Sequence, residues 1–130
     1  MAICVSLEKA LELQAANYPK PEFAPGQLWF VFYRKSDQRV WAQLQYCSRM
    51  SPHAGPIMVP LEGVETSFEV VPANWKVYAP TPDELMRAIG NGATAGYFDG
   101  FKGGFGTDFD MNAYDDTLAD ALAGTWLKTQ

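Results

Sequence analysis

The chain has 130 residues, of which 48% are hydrophobic and 19% are charged, values that exclude the low hydrophobicity and high charge of a disordered chain. Ten Lys and Arg against fifteen Asp and Glu give a net charge of −5. Direct nucleic-acid binding is therefore not expected, because the chain lacks the cationic excess that neutralises a phosphate backbone. The charge count leaves one alternative open, a local groove built from Arg34, Lys35, Arg39 and Arg49.

The length indicates one domain, which we predict over residues 1–130. Cys4 and Cys47 are too few for a disulfide framework, and neither lies in a CxxC pair, so both are expected to be reduced. The first residues lack the basic and apolar stretches of a signal peptide. No run of roughly 18 apolar residues occurs, so we expect no membrane-spanning helix and predict a cytoplasmic protein.

The first half of the chain predicts one helix and a β-hairpin. Apolar residues spaced along one helical face follow Ser6, which predicts a helix from Ser6 to Asn17. The aromatic and β-branched run Leu28–Tyr33 and the alternating run Val40–Tyr46 predict two paired strands. Shorter strands are expected at residues 57–59, 68–71 and 75–79.

The second half predicts two helices around a glycine-rich segment. Thr81 and Glu84 have the spacing of a capping box, and the helix that follows should end at Gly90. Residues 93–98 and 105–114 are expected to be strands that flank Asp99–Gly104, a glycine-rich hairpin or bulged loop. The Asp115-Asp116-Thr117 run opens a last helix, with Asp115 and Asp116 as an N-cap pair and an apolar stripe of Leu118, Ala121, Leu122, Thr125 and Trp126.

This order of elements lacks the regular strand–helix alternation of a doubly wound sheet. It predicts the α+β class: a small antiparallel sheet of about five to six strands with about three helices packed on one face.

Three segments combine helix caps with amphipathic runs: Ser6–Leu13 leading into Pro19–Trp29, then Tyr78–Leu85, and finally Asp116–Leu127. In this order they resemble short uncharacterised proteins of tailed phages, prophages and other mobile elements. The likeness leaves residues 30–77 and 91–115 unmatched. It implies an origin in a mobile element and a place of action in the cytoplasm of the host cell, and it brings no catalytic residue or activity with it.

The sequence indicates no cofactor and no catalytic set. His53 is the single histidine, and nucleophilic catalysis would require it to meet Cys4, Cys47 or a serine in space. The simpler interpretation is an exposed histidine in a loop. Asp108 and Asp110 could offer oxygen ligands to Ca²⁺ or Mg²⁺, but the spacing of an EF-hand is absent, so no metal site is predicted.

Aromatic residues and carboxylates of the second half are the candidate binding residues. Residues 66–130 hold nine acidic and four basic side chains. Tyr97, Phe98, Phe101, Phe105 and Phe109 surround the glycine-rich segment, where they could contact a ligand or a partner. The simpler hypothesis, which we favour, is a twisted hairpin whose rings pack inward. The predicted binding residues are Tyr97, Phe101, Phe105, Asp108, Asp110, Asp115 and Asp116.

Two functions from different classes suit these features. The first, which we favour, is a non-catalytic protein that engages a host or phage protein, for example as an anti-defence factor, through its acidic, aromatic second half. The second is a small-ligand-binding or sequestering protein, or a small enzyme, whose aromatic glycine-rich pocket includes Trp29 and Trp41. A virion or packaging accessory that assembles as a homo-oligomer is a third alternative.

Overall fold

The computed structural model describes residues 3–34, 40–61, 69–70, 76–97 and 99–130. Within them the elements are α1 (Leu7–Ala15), β1 (Leu28–Arg34), β2 (Val40–Ser51), β3 (Gly55–Pro60), β4 (Glu69–Val70), β5 (Lys76–Tyr78), α2 (Pro82–Ile89), β6 (Ala93–Tyr97), β7 (Phe101–Phe105), β8 (Asp108–Asp115) and α3 (Leu118–Lys128). The strand pairs are antiparallel, so the predicted α+β class is confirmed.

The strands divide between two sheets, whereas the sequence predicted one. The first sheet has the order β3-β2-β1-β4, and β5 pairs with β1 as well; the second sheet has the order β6-β7-β8. The contacts divide the chain into two compact units, Met1–Pro19 with Ala79–Gln130, and Lys20–Tyr78. The first unit, built from two separate stretches of sequence, holds α1, α2 and α3. The single domain stays a prediction.

Side-chain caps begin the first two helices where the sequence predicted them. The Ser6 hydroxyl accepts a hydrogen bond from the Lys9 N–H at the start of α1. At α2, the Thr81 hydroxyl accepts from the Glu84 N–H, and the Glu84 carboxylate accepts from the Thr81 N–H. This is the predicted capping box, and the helix ends at Gly90 as expected.

The third helix begins at a different cap from the one predicted. The N-cap of α3 is Thr117, whose hydroxyl accepts from the Asp120 N–H. The prediction of an Asp115–Asp116 N-cap pair is wrong, because Asp115 is the last residue of β8 and pairs there with Phe101. The Asp115 carboxylate instead accepts from the neighbouring Asp116 N–H.

The glycine-rich segment is mainly a strand. The sequence predicted a hairpin or bulged loop over Asp99–Gly104, but Phe101–Phe105 forms β7, the central strand of the three-stranded sheet. Only Asp99 and Gly100 of the predicted loop lie in the turn, and both have positive φ angles. The other two glycines permit close packing, Gly103 against α3 and Gly104 against the Thr94 and Asn112 side chains.

Helix α3 lies directly on the backbone of the sheet. A Cβ atom placed on Gly103 would lie 2.8 Å from the Ala121 carbonyl oxygen and 2.9 Å from the Leu122 Cα. A Cβ on Gly124 of the helix would lie 2.8 Å from the Cβ of Ala113 in β8. Glycine at both positions therefore permits a separation between helix and sheet that a larger residue would prevent.

The predicted stripe of α3 is largely confirmed, since Ala121, Leu122, Thr125 and Trp126 are buried. Burial also extends to Ala119, Asp120 and Ala123, so the helix is enclosed on more than one side. The Trp126 ring meets the Tyr18 ring edge-on at a centroid distance of 4.9 Å. These contacts join the two separate stretches of the first unit.

In the second unit, β1 and β2 form the predicted hairpin, with Leu28 opposite Tyr46. The short strands β3, β4 and β5 match the three other strands expected in this region. Some residues of the predicted strands lie outside the described residues: Phe68, Val71 and Trp75 of these strands, and Phe98 of the strand predicted over residues 93–98.

A Gly103→Ala substitution tests the close approach of α3. We expect it to lower the free energy of unfolding by about 1–3 kcal/mol, the usual cost of overpacking, because the added methyl group meets backbone atoms that cannot move aside alone. Gly96→Ala in β6 is the matched control, since a Cβ there has nothing within 4 Å, and should change stability by less than about 0.5 kcal/mol. Urea denaturation measures both; equal stability of the two variants would contradict the contact.

Candidate functional site

Four of the seven predicted binding residues meet at one end of the three-stranded sheet, here called the turn end: Tyr97, Phe101, Asp115 and Asp116. Tyr97 pairs with Phe101, and Phe101 pairs with Asp115 across β7 and β8. The Tyr97 and Phe101 ring centroids are 5.0 Å apart at an interplanar angle of 68°, an edge-to-face arrangement. Asp116 follows at the surface.

The other three predicted residues lie at the opposite end, here called the tip (residues 105–110). Phe105 pairs with Asp108 across the turn, and the Asp108 carboxylate accepts from the Asp110 N–H at 3.0 Å. Phe101 and Phe105 are four residues apart on one strand, which separates the two ends by roughly 13 Å. Helix α3 covers Gly103 between them. The predicted residues therefore form two groups and not one site.

Several rings of this sheet are exposed. Phe109 is 85% exposed, Tyr97 70%, Tyr114 65% and Phe105 39%, whereas Phe101 is partly buried. The hypothesis that the rings pack inward is therefore wrong for Tyr97 and Phe109 above all. Clustered exposed apolar groups are typical of interaction surfaces, so both ends of the sheet are candidate contact regions.

Phe109, the most exposed of these rings, was missing from the predicted binding residues. Strict alternation would place it on the face opposite Asp108 and Asp110. The ladder is irregular here: Gly103 pairs with Ala113 but Phe105 pairs with Asp108, so residues 109–112 stand opposite Gly104 alone. Phe109 thus lies in a bulged stretch of the strand pair, and no signal in the sequence marks the position of this bulge.

The same region carries a concentration of negative charge. Residues 93–117 contain five Asp and one basic residue, Lys102. Asp99, Asp108, Asp110 and Asp116 are exposed. The rings at both ends of the sheet thus lie among carboxylates, which favours a positively charged partner over a negatively charged one.

A depression of about 390 Å³ opens beside β8 and α3, and Lys9, Tyr114, Asp115, Asp120, Leu127 and Lys128 are among its lining residues. Its volume lies within the range of small-molecule sites, about 300–1,000 Å³. The Lys9 ammonium is 3.1 Å from Glu12, and Lys128 donates to the Asn112 carbonyl oxygen. Both cations of the depression are therefore already engaged by protein atoms.

A buried polar group lies near the start of α3. The Asp120 carboxylate accepts from the Ser6 N–H at 2.8 Å, and the Val5 N–H donates to the Pro80 carbonyl oxygen at 3.2 Å. The adjacent Cys4 is buried and free. These bonds tie residues before α1 to residues before α2 and within α3, which gives the group a structural role.

The thiol of this group is poorly suited to nucleophilic catalysis. Burial, followed by the negative charges of Asp120 and Glu84, raises the pKa of Cys4 from 9.0 to about 11. Burial and Glu84 likewise raise the pKa of Tyr18 from 10.0 to about 12, with Arg87 acting in the opposite direction. Cys4 is therefore protonated at neutral pH, whereas the thiolate is the nucleophilic form.

The other candidate groups from the sequence are His53, the carboxylates and the basic groove. His53 is exposed in the turn after β2, where its backbone N–H donates to the Ser51 hydroxyl at 3.4 Å. Within the parts of the chain that the structure describes, no three His, Cys, Asp or Glu side chains are grouped so as to hold a metal ion. Lys35 and Arg39 of the alternative basic groove lie outside the described residues.

Trp29 is a core residue and not part of a ligand pocket. Its side chain is fully buried, with the Phe23 and Tyr78 ring centroids at 4.4 and 5.1 Å. The Lys20 ammonium lies 5.6 Å from the Trp29 ring centroid. The Trp29 part of the predicted aromatic pocket is therefore wrong, and the Trp41 side chain lies outside the described residues.

No protein-family model, curated protein or solved structure matches this chain. The resemblance to phage and prophage proteins therefore stays a prediction, and what the protein binds must be inferred from its own surface. Among the helices that the structure describes, none is both long and apolar enough to cross a membrane.

The raised pKa of Cys4 predicts a loss of stability at high pH. Below pH 9 the thiol is protonated in both the folded and the unfolded state. As pH rises, the unfolded state loses its proton first, so the contribution of the Cys4 thiol to stability is lost between about pH 9 and 11. Over this range the free energy of unfolding should fall more in the wild type than in Cys4→Ala. The difference between the two falls should reach up to about 2–3 kcal/mol. Urea denaturation at each pH measures it. An identical fall in both proteins would show that Cys4 does not carry the effect.

Proposed function

We propose that this chain is a non-catalytic binding protein that engages another protein through the exposed rings and carboxylates of its three-stranded sheet. The proposal rests on one observation, the exposure of Phe109, Tyr97 and Tyr114. Large aromatic rings supply much of the binding energy at protein interfaces, because burying them removes a large apolar area at a small entropic cost. Exposed rings at both ends of the sheet are what such an interface presents before its partner binds.

The carboxylates around the rings point to a basic partner. Asp108 and Asp110 flank Phe109 at the tip, and Asp115 and Asp116 accompany Tyr97 at the turn end. Such charges accelerate encounter with a positively charged surface and orient it, while the rings provide close contact. The partner should thus offer an apolar slot bordered by Lys or Arg side chains.

The resemblance to phage and prophage proteins makes a host protein the first partner to test. An acidic surface that occupies a basic channel of a host protein would blunt a defence or regulatory system. The protonated state of Cys4 supports binding over catalysis.

Capture from a bacterial lysate at low salt tests the proposal. A hot-spot ring contributes about 2 kcal/mol or more, so Phe109→Ser should weaken binding of the captured partner about 30-fold. Tyr97→Ser should also weaken binding if the partner contacts both ends of the sheet. Leu11→Ser is the matched control, because Leu11 is an exposed apolar residue of the same unit that lies on α1. Quantitative mass spectrometry and then titration with the purified partner give the values.

Neutralising the carboxylates in the same assay separates their contribution to partner binding from that of the rings. The double variant Asp108→Asn, Asp110→Asn should bind more weakly and with less dependence on salt. Recovery of the same proteins in equal amounts by the wild type, Phe109→Ser and the double variant would overturn the proposal. So would a wild-type protein that captures nothing above the tag alone.

The depression beside β8 and α3 supports a second candidate function, small-ligand binding. Asp115 and Lys128 line its wall, and Lys128 would exchange its contact with the Asn112 carbonyl oxygen for an anionic group of the ligand. A ligand that binds only the folded state raises its melting temperature. We expect a zwitterionic amino acid or nucleotide in a thermal-shift panel to do so, and Lys128→Met to abolish the shift. A panel without any shift would contradict this function.

A further inference from the structure

Three sulfur-containing residues are neighbours where β2 runs beside β3. Cys47 and Met50 belong to β2, and Met58 belongs to β3. The Cys47 Sγ and Met50 Sδ atoms are 3.9 Å apart. Met58 stands directly opposite Cys47 in the β2–β3 ladder. These residues, here called the sulfur cluster, lie in the second unit and have no part in the function proposed above.

A bulge brings Met50 onto the face of Cys47. The two residues are three positions apart and would point to opposite faces of a regular strand. The register with β3 shifts between Cys47 and Arg49, and this irregularity reverses the alternation, as the short distance between the two sulfur atoms shows. Bulges commonly re-aim a side chain next to a functional site.

The backbone hydrogen bonds of Cys47 place Met58 on the same face. The Cys47 N–H donates to the Gln27 carbonyl oxygen at 2.9 Å, and the Cys47 carbonyl oxygen accepts from the Gly26 N–H at 2.8 Å. Both backbone groups thus face away from β3, which makes Cys47 and Met58 a non-hydrogen-bonded pair. In such a pair the Cα atoms are about 4.5 Å apart and the side chains are at their closest.

We propose that Cys47, Met50 and Met58 form a binding site for Cu(I). Thiolate and thioether sulfurs are soft ligands of the kind that select this ion. Three sulfurs in a trigonal arrangement, each about 2.3 Å from a metal, are about 4 Å from one another. The 3.9 Å between Cys47 Sγ and Met50 Sδ already has that value.

Charge and access also suit this ion. Cys47 is fully buried, and on binding its thiol releases one proton to solvent as the sulfur–copper bond forms, with no change of oxidation state. The thiolate and Cu(I) then cancel in charge, which avoids leaving a net charge in a buried position. Met50 is 43% exposed and offers the route of entry from solvent.

Competition for Cu(I) under anaerobic, reducing conditions tests the site. The purified chain is titrated against the Cu(I) complex of bicinchoninate. We expect the wild type to remove one Cu(I) per chain, and Met50→Leu and Met58→Leu each to weaken binding about tenfold or more. Leucine has nearly the volume of methionine, so these two variants should keep the fold. Cys47→Ser should abolish tight binding, with circular dichroism as the check on its fold.

Two variants control for ordinary thiol or thioether binding. Cys4→Ser removes the other free cysteine, and Met86→Leu removes a methionine of α2 in the first unit. Both should bind Cu(I) as the wild type does. The proposal is overturned if the wild type takes no Cu(I) from the chelate, if Cys4→Ser loses binding, or if Met50→Leu and Met58→Leu both bind as tightly as the wild type.

Discussion

The contact on which the first unit depends is made between two backbones. Gly103 in β7 leaves the space that the Ala121 carbonyl and the Leu122 Cα of α3 occupy, and Gly124 leaves space for Ala113. Since α3 has 11 residues, it is about 16 Å long, and it covers the middle of a three-stranded sheet whose ends extend beyond this contact. The rings of Tyr97, Phe105 and Phe109 lie outside this contact and are exposed.

Local rules explain the parts of the fold that the sequence predicted correctly. Ser6, Thr81 and Glu84 act on atoms within three residues of themselves, so their pattern can be read without tertiary structure. The β1–β2 hairpin is also local, because its strands are close in sequence, one as an aromatic and β-branched run and the other as an alternating one. By contrast, the division into two sheets depends on pairings that no short segment specifies.

Tertiary contacts explain the parts that sequence reasoning missed. The sequence around Gly103 predicts a loop. The packing of α3 on Gly103 explains why this position of the strand is a glycine. Met50 follows a register shift that reverses the expected face of its side chain, and Phe109 lies within an irregular stretch of the β7–β8 ladder. The residue types at both candidate sites were visible in the sequence, but the bulges that expose or assemble them were not.

The first unit is formed from the two ends of the chain, with residues 20–78 between them. Ser6 bonds to Asp120 across 114 positions, and Tyr18 packs on Trp126. During synthesis, residues 20–78 leave the ribosome as a continuous stretch and can pair their strands first. Helix α1 leaves earlier, and its contacts with α3 can form only once α3 follows. Its side that faces α3 therefore stays unprotected until α3 has been synthesised, so the first unit forms later than the strand pairs of residues 20–78.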